Sequence, residues 1–246
     1  MPAEWTILPD SHPLWVVALV TVLFALLARV LRGVSLSGAI AGGLVCFALY
    51  ASAGLGAFIL LVLLFVLTWS ATRLGYQHKQ KLGTAERKEG RTASQVLANV
   101  GVAALCAATY RWHGNVVLLI AMCTALAEAA ADTVSSEIGQ TSGREARLIT
   151  TWRKVPTGTN GGVSIIGTFA GMGAALLMTA AAHFTGIISR KAFFASFVSA
   201  FIGMISDSFL GATLEWRGLL NNNTVNFLGT LTAVCVIVLW HFFFNL

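Results

Sequence analysis

The chain has 246 residues, of which 57% are hydrophobic and 11% charged, and its mean hydropathy is +0.78. An average soluble domain carries roughly 25% charge, so these values exclude a soluble protein and point to an integral membrane one. The net charge of +6 needs no nucleic-acid partner, because membrane loops account for the basic residues.

Crossing a hydrocarbon core of about 30 Å takes roughly 17–25 apolar residues. Eight such runs are expected, at 14–31, 36–53, 55–73, 93–110, 115–134, 162–184, 193–214 and 226–244. The fold expected is therefore all-α, a polytopic bundle of about eight transmembrane helices forming a single transmembrane domain over 1–246, with no room for a soluble one. The first run follows Glu4 and Asp10, not a basic n-region, and reads as a span instead of a cleaved signal. Cys46, Cys106, Cys123 and Cys235 lie in apolar runs without a CxxC pair and are expected to pack.

With the N-terminus outside, the loops after the odd-numbered spans hold Arg29, Arg32, Arg73, Lys79, Lys81, Arg87, Lys88, Arg91, Arg144, Arg147, Arg153, Lys154 and Arg217. Only Arg111, Arg190 and Lys191 fall on the other side. This bias predicts that both termini are extracytosolic. The same threading gathers the polar residues of the spans at the cytosolic face, as a site open to the cytosol would require.

GVSLSGAIAG at 33–42 is echoed by GVSIIGTFAG at 162–171, and Asn99-Val-Gly101 by Asn226-Phe-Leu-Gly229. Two parallel four-helix repeats around a central polar site are one reading; the other is recurrent small-residue packing.

In chain order, EGRTASQVLANVG (89–101) places Gln95 and Asn99 on one helical stripe behind Arg91, and Asn222 and Asn226 repeat the spacing. These amides either bridge helices or meet a ligand, and Arg91 at the rim is a phosphate contact. The preceding stretch 76–90, YQHKQKLGTAERKEG, reads as a solvated connector against anionic lipid. AEAAADTVSSEIG (127–139) puts Glu128 and Asp132 one turn apart, followed by Ser135, Ser136 and Glu137. An ionised carboxylate at mid-bilayer costs about 2.5–3.5 kcal/mol. Mg²⁺ shared with a phosphate suits hard oxygen ligands; pairing with an arginine or capping by serines is the alternative. The scattered histidines form no competing metal motif.

TTWRKVPTGTNGGVS (150–164) joins Arg153 and Lys154 to a Gly- and Thr-rich run opening a span, with Gly158, Thr159, Asn160 and Gly161 as anion-cradle donors. It lacks the Walker spacing. Asp207, in GMISDSFLGATLE, is a second buried acid that either completes the metal site or bonds to neighbouring helix ends.

GRTASQVLANVG, AEAAADTVSSEIG, KVPTGTNGGVSIIGTFAG, SDSFLGATLE and NNNTVNF, in order over about 33–240, resemble the signature blocks of a polytopic family long catalogued as of unknown function. That family includes the plant phytyl-phosphate kinase of the vitamin E pathway and is distantly related to phytol and dolichol kinases. The resemblance implies phosphoryl transfer from a nucleoside triphosphate, CTP or ATP, to an isoprenoid monophosphate in the bilayer. On that basis Asp132, with Glu128, Glu137 or Asp207, holds Mg²⁺, while Lys154, Arg91 and Arg147 neutralise phosphates. Two other readings are a transporter or flippase of a phosphorylated lipid and a CDP-alcohol phosphotransferase. The nearly featureless outer loops disfavour the first, and the absence of a G-x-x-x-D-x-x-x-D pattern the second.

Overall fold

The computed structural model describes residues 12–141 and 145–246. Glu4, Asp10 and Arg144, to which the sequence assigned flanking and loop roles, lie outside the described residues. The order is α1 (Leu14–Val30), α2 (Leu36–Arg73), α3 (Tyr76–Leu82), α4 (Ala93–His113), α5 (Val116–Thr141), β1 (Ala146–Leu148), β2 (Lys154–Val155), β3 (Gly162–Val163), α6 (Ile165–Phe184), α7 (Arg190–Leu210) and α8 (Asn222–Phe244). A π-helical turn, Gly211–Glu215, prolongs α7. Six helices are long and apolar enough to cross a membrane, and α1 is a shorter apolar helix.

Those six include α2, whose 38 residues would reach about 57 Å if straight, far beyond a bilayer. Gly54 breaks it at φ 76°, ψ −170°, a conformation open essentially to glycine alone. The chain reverses there: Trp69 Nε1 and Arg73 Nη2, at the far end of α2, donate to Leu31 O just before its start, at 3.1 and 2.8 Å. Tyr50 and Phe58 stack across the bend with ring centroids 5.3 Å apart. Thus α2 is a hairpin of the expected spans 36–53 and 55–73, and the chain has eight apolar segments.

Helix α5 packs against α2, α4, α6, α7 and α8. Its alanine-rich middle permits this, because small side chains let backbones approach. A Cβ added to Gly167 or Gly171 of α6 would lie 2.6 Å from Ser135 O or 2.7 Å from Ala131 O. The spans α2 and α6 open alike, with Ser35 Oγ and Ser164 Oγ accepting from the amides of Gly38 and Gly167 at 3.2 and 3.1 Å. Their neighbours differ, since Gly38 abuts the Arg91 carbonyl and Gly167 that of Ser135.

Most of the 76–90 stretch is exposed, as a solvated connector should be, but Lys79 is not. Helix α3 carries Lys79, which is fully buried and donates from Nζ to Ala71 O (3.0 Å), Thr72 O (2.8 Å) and Glu137 Oε2 (2.6 Å). Thr72 Oγ1 donates to Glu137 Oε1 at 2.9 Å. Lys79 thereby caps the last carbonyls of α2 and ties them to α5. Cysteines 46, 106 and 123 are buried as expected, but Cys235 is exposed on α8. The segment 146–163 adds a small antiparallel sheet, ordered β2-β1-β3.

Removing one partner of a buried ion pair strands the other, a loss of about 3–5 kcal/mol, whereas replacing both by apolar groups restores most of it. Lys79→Met should therefore lower thermal stability in detergent strongly, and Lys79→Met combined with Glu137→Leu should recover most of the loss. An unfolding midpoint for the single variant equal to that of the parent would remove the pair from the stability of the fold.

Candidate functional site

A polar cavity of about 450 Å³ lies at the bundle end where α4, α6 and α8 begin and α5 and α7 finish. Asp132 and Thr133 come from α5, Asp207 and Ser208 from α7, and Glu215 from the π turn. Gln95 and Asn99 line it from α4, Asn222 and Asn226 from α8, and the 157–164 turn covers one side.

Asp132 and Asp207 face one another, with Glu215 beside them and Arg91 as the cation acting on Asp132. Beneath them Glu128 is fully buried. Glu128 Oε1 and Asp207 Oδ2 are both buried without a hydrogen-bond partner among the described residues. Glycines provide the space: a Cβ on Gly229 would lie 2.8 Å from Glu128 Oε1 and 3.3 Å from Asp207 Oδ2, and one on Gly203 would lie 2.6 Å from Glu128 Cγ. Carboxylates packed this closely repel, so a cation or a proton must stand among them.

Arg91 is held by its backbone. Its amide donates to Gly33 O at 3.1 Å and its carbonyl accepts from Ser35 N at 2.9 Å. Its guanidinium makes only long contacts to Thr133 Oγ1, 3.4 and 3.5 Å, and forms no ion pair among the described residues. Gln95 closes a capping box by accepting from Thr92 N at 2.8 Å and donates from Nε2 to Glu86 Oε2 at 2.9 Å. Asn99 Nδ2 donates to Gln95 O at 2.8 Å.

In the covering turn, Gly158 and Gly161 take φ values of 90° and 71°. The amides of Gly158, Asn160 and Gly161 have no hydrogen-bond partner among the described residues, while the Thr159 hydroxyl donates to Pro156 O at 2.7 Å. Successive amides free of backbone bonds on a glycine turn are groups of the kind that bind anions. The turn is pinned to the π turn: a Cβ on Gly161 would lie 2.3 Å from that of Ala212.

Of the residues singled out by sequence, the cavity gathers Arg91, Gln95, Asn99, Asp132, Ser135, Ser136, Glu137, Gly158, Thr159, Asn160, Gly161, Asp207, Asn222 and Asn226. Glu137, however, has both oxygens engaged by Lys79 and Thr72. Glu128, buried beneath the cavity, Lys154 and Arg147 are absent from the lining. Alternation along β1 buries Ala146 and Leu148 and turns Arg147 outward, where Nη1 donates to Trp152 O at 2.9 Å. Lys154, opposite Arg147 in the sheet, pairs with exposed Glu145. Sequence reasoning assigned no role to Glu215, Thr133, Ser164, Glu86 or Arg87, which also line the cavity. Glu215 ends the block SDSFLGATLE, and only the wider π turn swings it inward.

Mg²⁺ is held by one or two carboxylates completed by water and substrate phosphates. The donors here, Asp132, Asp207 and Glu215 with an unpartnered Asp207 Oδ2, fit such a cation. No three acidic, histidine or cysteine side chains among the described residues make a site by themselves, so a cation here would keep non-protein ligands such as water.

Gly161→Ala should displace the turn, because both the positive φ and the Ala212 contact oppose a side chain, at a cost of about 1–3 kcal/mol. Gly83→Ala, with φ 73° but nothing within 4 Å, isolates the backbone contribution. Limited proteolysis should cut the 145–164 segment faster in Gly161→Ala alone; equal rates in both variants and the parent would contradict the pinning.

Comparison with known proteins places the chain in the family "Integral membrane protein DUF92", matched over residues 19–234, and the chain belongs to that family. An uncharacterized membrane protein of Methanocaldococcus jannaschii is 33% identical over 92% of this chain and 93% of its own length. One of Synechocystis sp. is 32% identical over 76% of each. The chloroplastic protein VTE6 of Arabidopsis thaliana is 28% identical over 95% of this chain and 75% of its own. No solved structure matches the chain at a significant level.

Proposed function

We propose that this member of the integral membrane family DUF92 is a prenyl-phosphate kinase, moving the terminal phosphoryl group of a nucleoside triphosphate, CTP or ATP, onto an isoprenoid monophosphate. The observation that carries this reading is one cavity lined together by the acids Asp132, Asp207 and Glu215, by Arg91 and by the glycine turn 158–161. Phosphoryl transfer asks for that combination, because its catalysis is alignment and charge neutralisation with little covalent work for the protein. The signature-block resemblance to the family of the plant phytyl-phosphate kinase agrees in reaction class.

The acceptor needs no strong base. A phosphate monoester has a second pKa of about 6, so near neutral pH its oxygen is already a nucleophile. That oxygen attacks the terminal phosphorus, the bond from that phosphorus to its bridging oxygen breaks, and the products are a prenyl diphosphate and a nucleoside diphosphate. Arg91 neutralises and orients the acceptor phosphate. The 158–161 amides hold the triphosphate, and Gln95, Asn99, Asn222 and Asn226 offer neutral donors and acceptors around it. Asp132 and Asp207 would hold Mg²⁺, with Glu215 beside them to bind through water, and the ion when bound supplies positive charge to the phosphoryl oxygens. The cavity faces the cytosol in this reading, supported by the concentration of basic residues at its end of the bundle.

Detergent-purified protein with Mg²⁺, each labelled nucleoside triphosphate and phytyl or geranylgeranyl monophosphate should form the diphosphate. Asp132→Asn and Asp207→Asn should each lower the rate by at least about 100-fold, while Lys154→Ala should leave it nearly unchanged. No product with any nucleotide across several prenyl phosphates would overturn the assignment, and lipid transport in reconstituted vesicles would then be measured.

A further inference from the structure

Beside the polar cavity lies a second space of about 380 Å³, between α1, the α2 hairpin and the start of α4. Its walls are apolar, with Phe24, Ala28, Val45, Leu61, Leu64 and Phe65, and its mouth carries Arg32, Arg73, Arg87, Lys88 and Arg91. Glu86, Arg87, Arg91 and Asn99 line both spaces, so the two join at Arg91.

We infer that this groove seats a single-chain lipid monophosphate, with its hydrocarbon chain between α1, α2 and α4 and its phosphate at Arg91, facing the acidic wall of the polar cavity. The inference rests on the kinase reading for the fate of that phosphate but not for the seat itself. Charge complementarity selects the occupant. Five cations meet one acid in the lining, and that acid, Glu86, already accepts from Gln95 Nε2 and from Arg87 N, each at 2.9 Å. Among the described residues Arg91 forms no ion pair within 4 Å. From Arg73 at the mouth to Leu61 at the closed end the groove follows the second half of α2 for roughly 18 Å at 1.5 Å per residue. Its volume lies at the low end of small-ligand clefts, room for one chain. Helix α1 packs on α2 and not substantially on α4, so the groove is bounded on the α1 side by that one helix.

Gly42 makes the groove testable. A Cβ there would meet only Val96 Cγ1, at 4.0 Å, so a larger side chain fits and fills the space. The probe is geranylgeranyl monophosphate carrying a photoreactive diazirine near the end of its chain, used with the full chain in detergent and followed by peptide mapping. Label is expected on α1 and the second half of α2, displaced by unlabelled geranylgeranyl monophosphate but not by two-chain phosphatidic acid or inorganic phosphate. Gly42→Phe, or Ala39→Leu should the first variant fold poorly, is expected to abolish the labelling and raise the acceptor KM more than tenfold with the nucleotide KM unchanged. Label elsewhere, equal displacement by phosphatidic acid, or full labelling of a folded plug variant would overturn the inference. Diphosphate formation with label outside the groove would sink the groove alone; groove labelling without transfer would sink the kinase reading alone.

Discussion

Gly167 and Gly171 on α6, Gly203 on α7 and Gly229 on α8 bring three helices against α5 at distances that no side chain would allow. The burial of Glu128 and the placing of Asp207 depend on that approach. Because α5 is enclosed, Glu128 and Asp132 never meet lipid, which would otherwise make their placement prohibitive. The space vacated by Gly203 and Gly229 is filled by carboxylate, so the glycines serve packing and site together. An alanine at position 229 would remove the volume that Glu128 and Asp207 occupy.

At the edge of this enclosed centre two cations do different work. Lys79 is saturated: its three donors meet two helix-end carbonyls and Glu137, and it fixes where α2 ends against α5. Arg91 is the reverse, anchored through its backbone to residues 33 and 35 while its guanidinium keeps unspent donors. A side chain pre-positioned in this way loses little freedom when a ligand arrives. Gly90 and Gly38 are part of that anchoring, since a Cβ on either would strike the opposing backbone.

The spans could be read from sequence because crossing a bilayer imposes length and hydropathy directly, and the boundary expected between 53 and 55 is where Gly54 turns the chain. Asp132, Asp207, Asn99 and the glycine turn were visible as polar exceptions in apolar surroundings. Lys79 was not: in a stretch as basic as 76–82 nothing local separates a buried lysine from a solvated one, since its partner is 58 residues away. Arg147 and Lys154 were placed by charge alone, whereas their direction follows from a two-residue strand register that a short loop does not announce. Glu215 depended on a π turn, whose extra residue per turn rotates the side chain out of the position that α-helical spacing predicts.

The reversal at Gly54 also bears on how the protein is made. Two spans joined through one glycine leave no hydrophilic tether between them, so residues 36–73 are expected to insert as a unit. On the face away from the cavity this corner is held by the Tyr50–Phe58 stack and by Gly56 packed against Ile187.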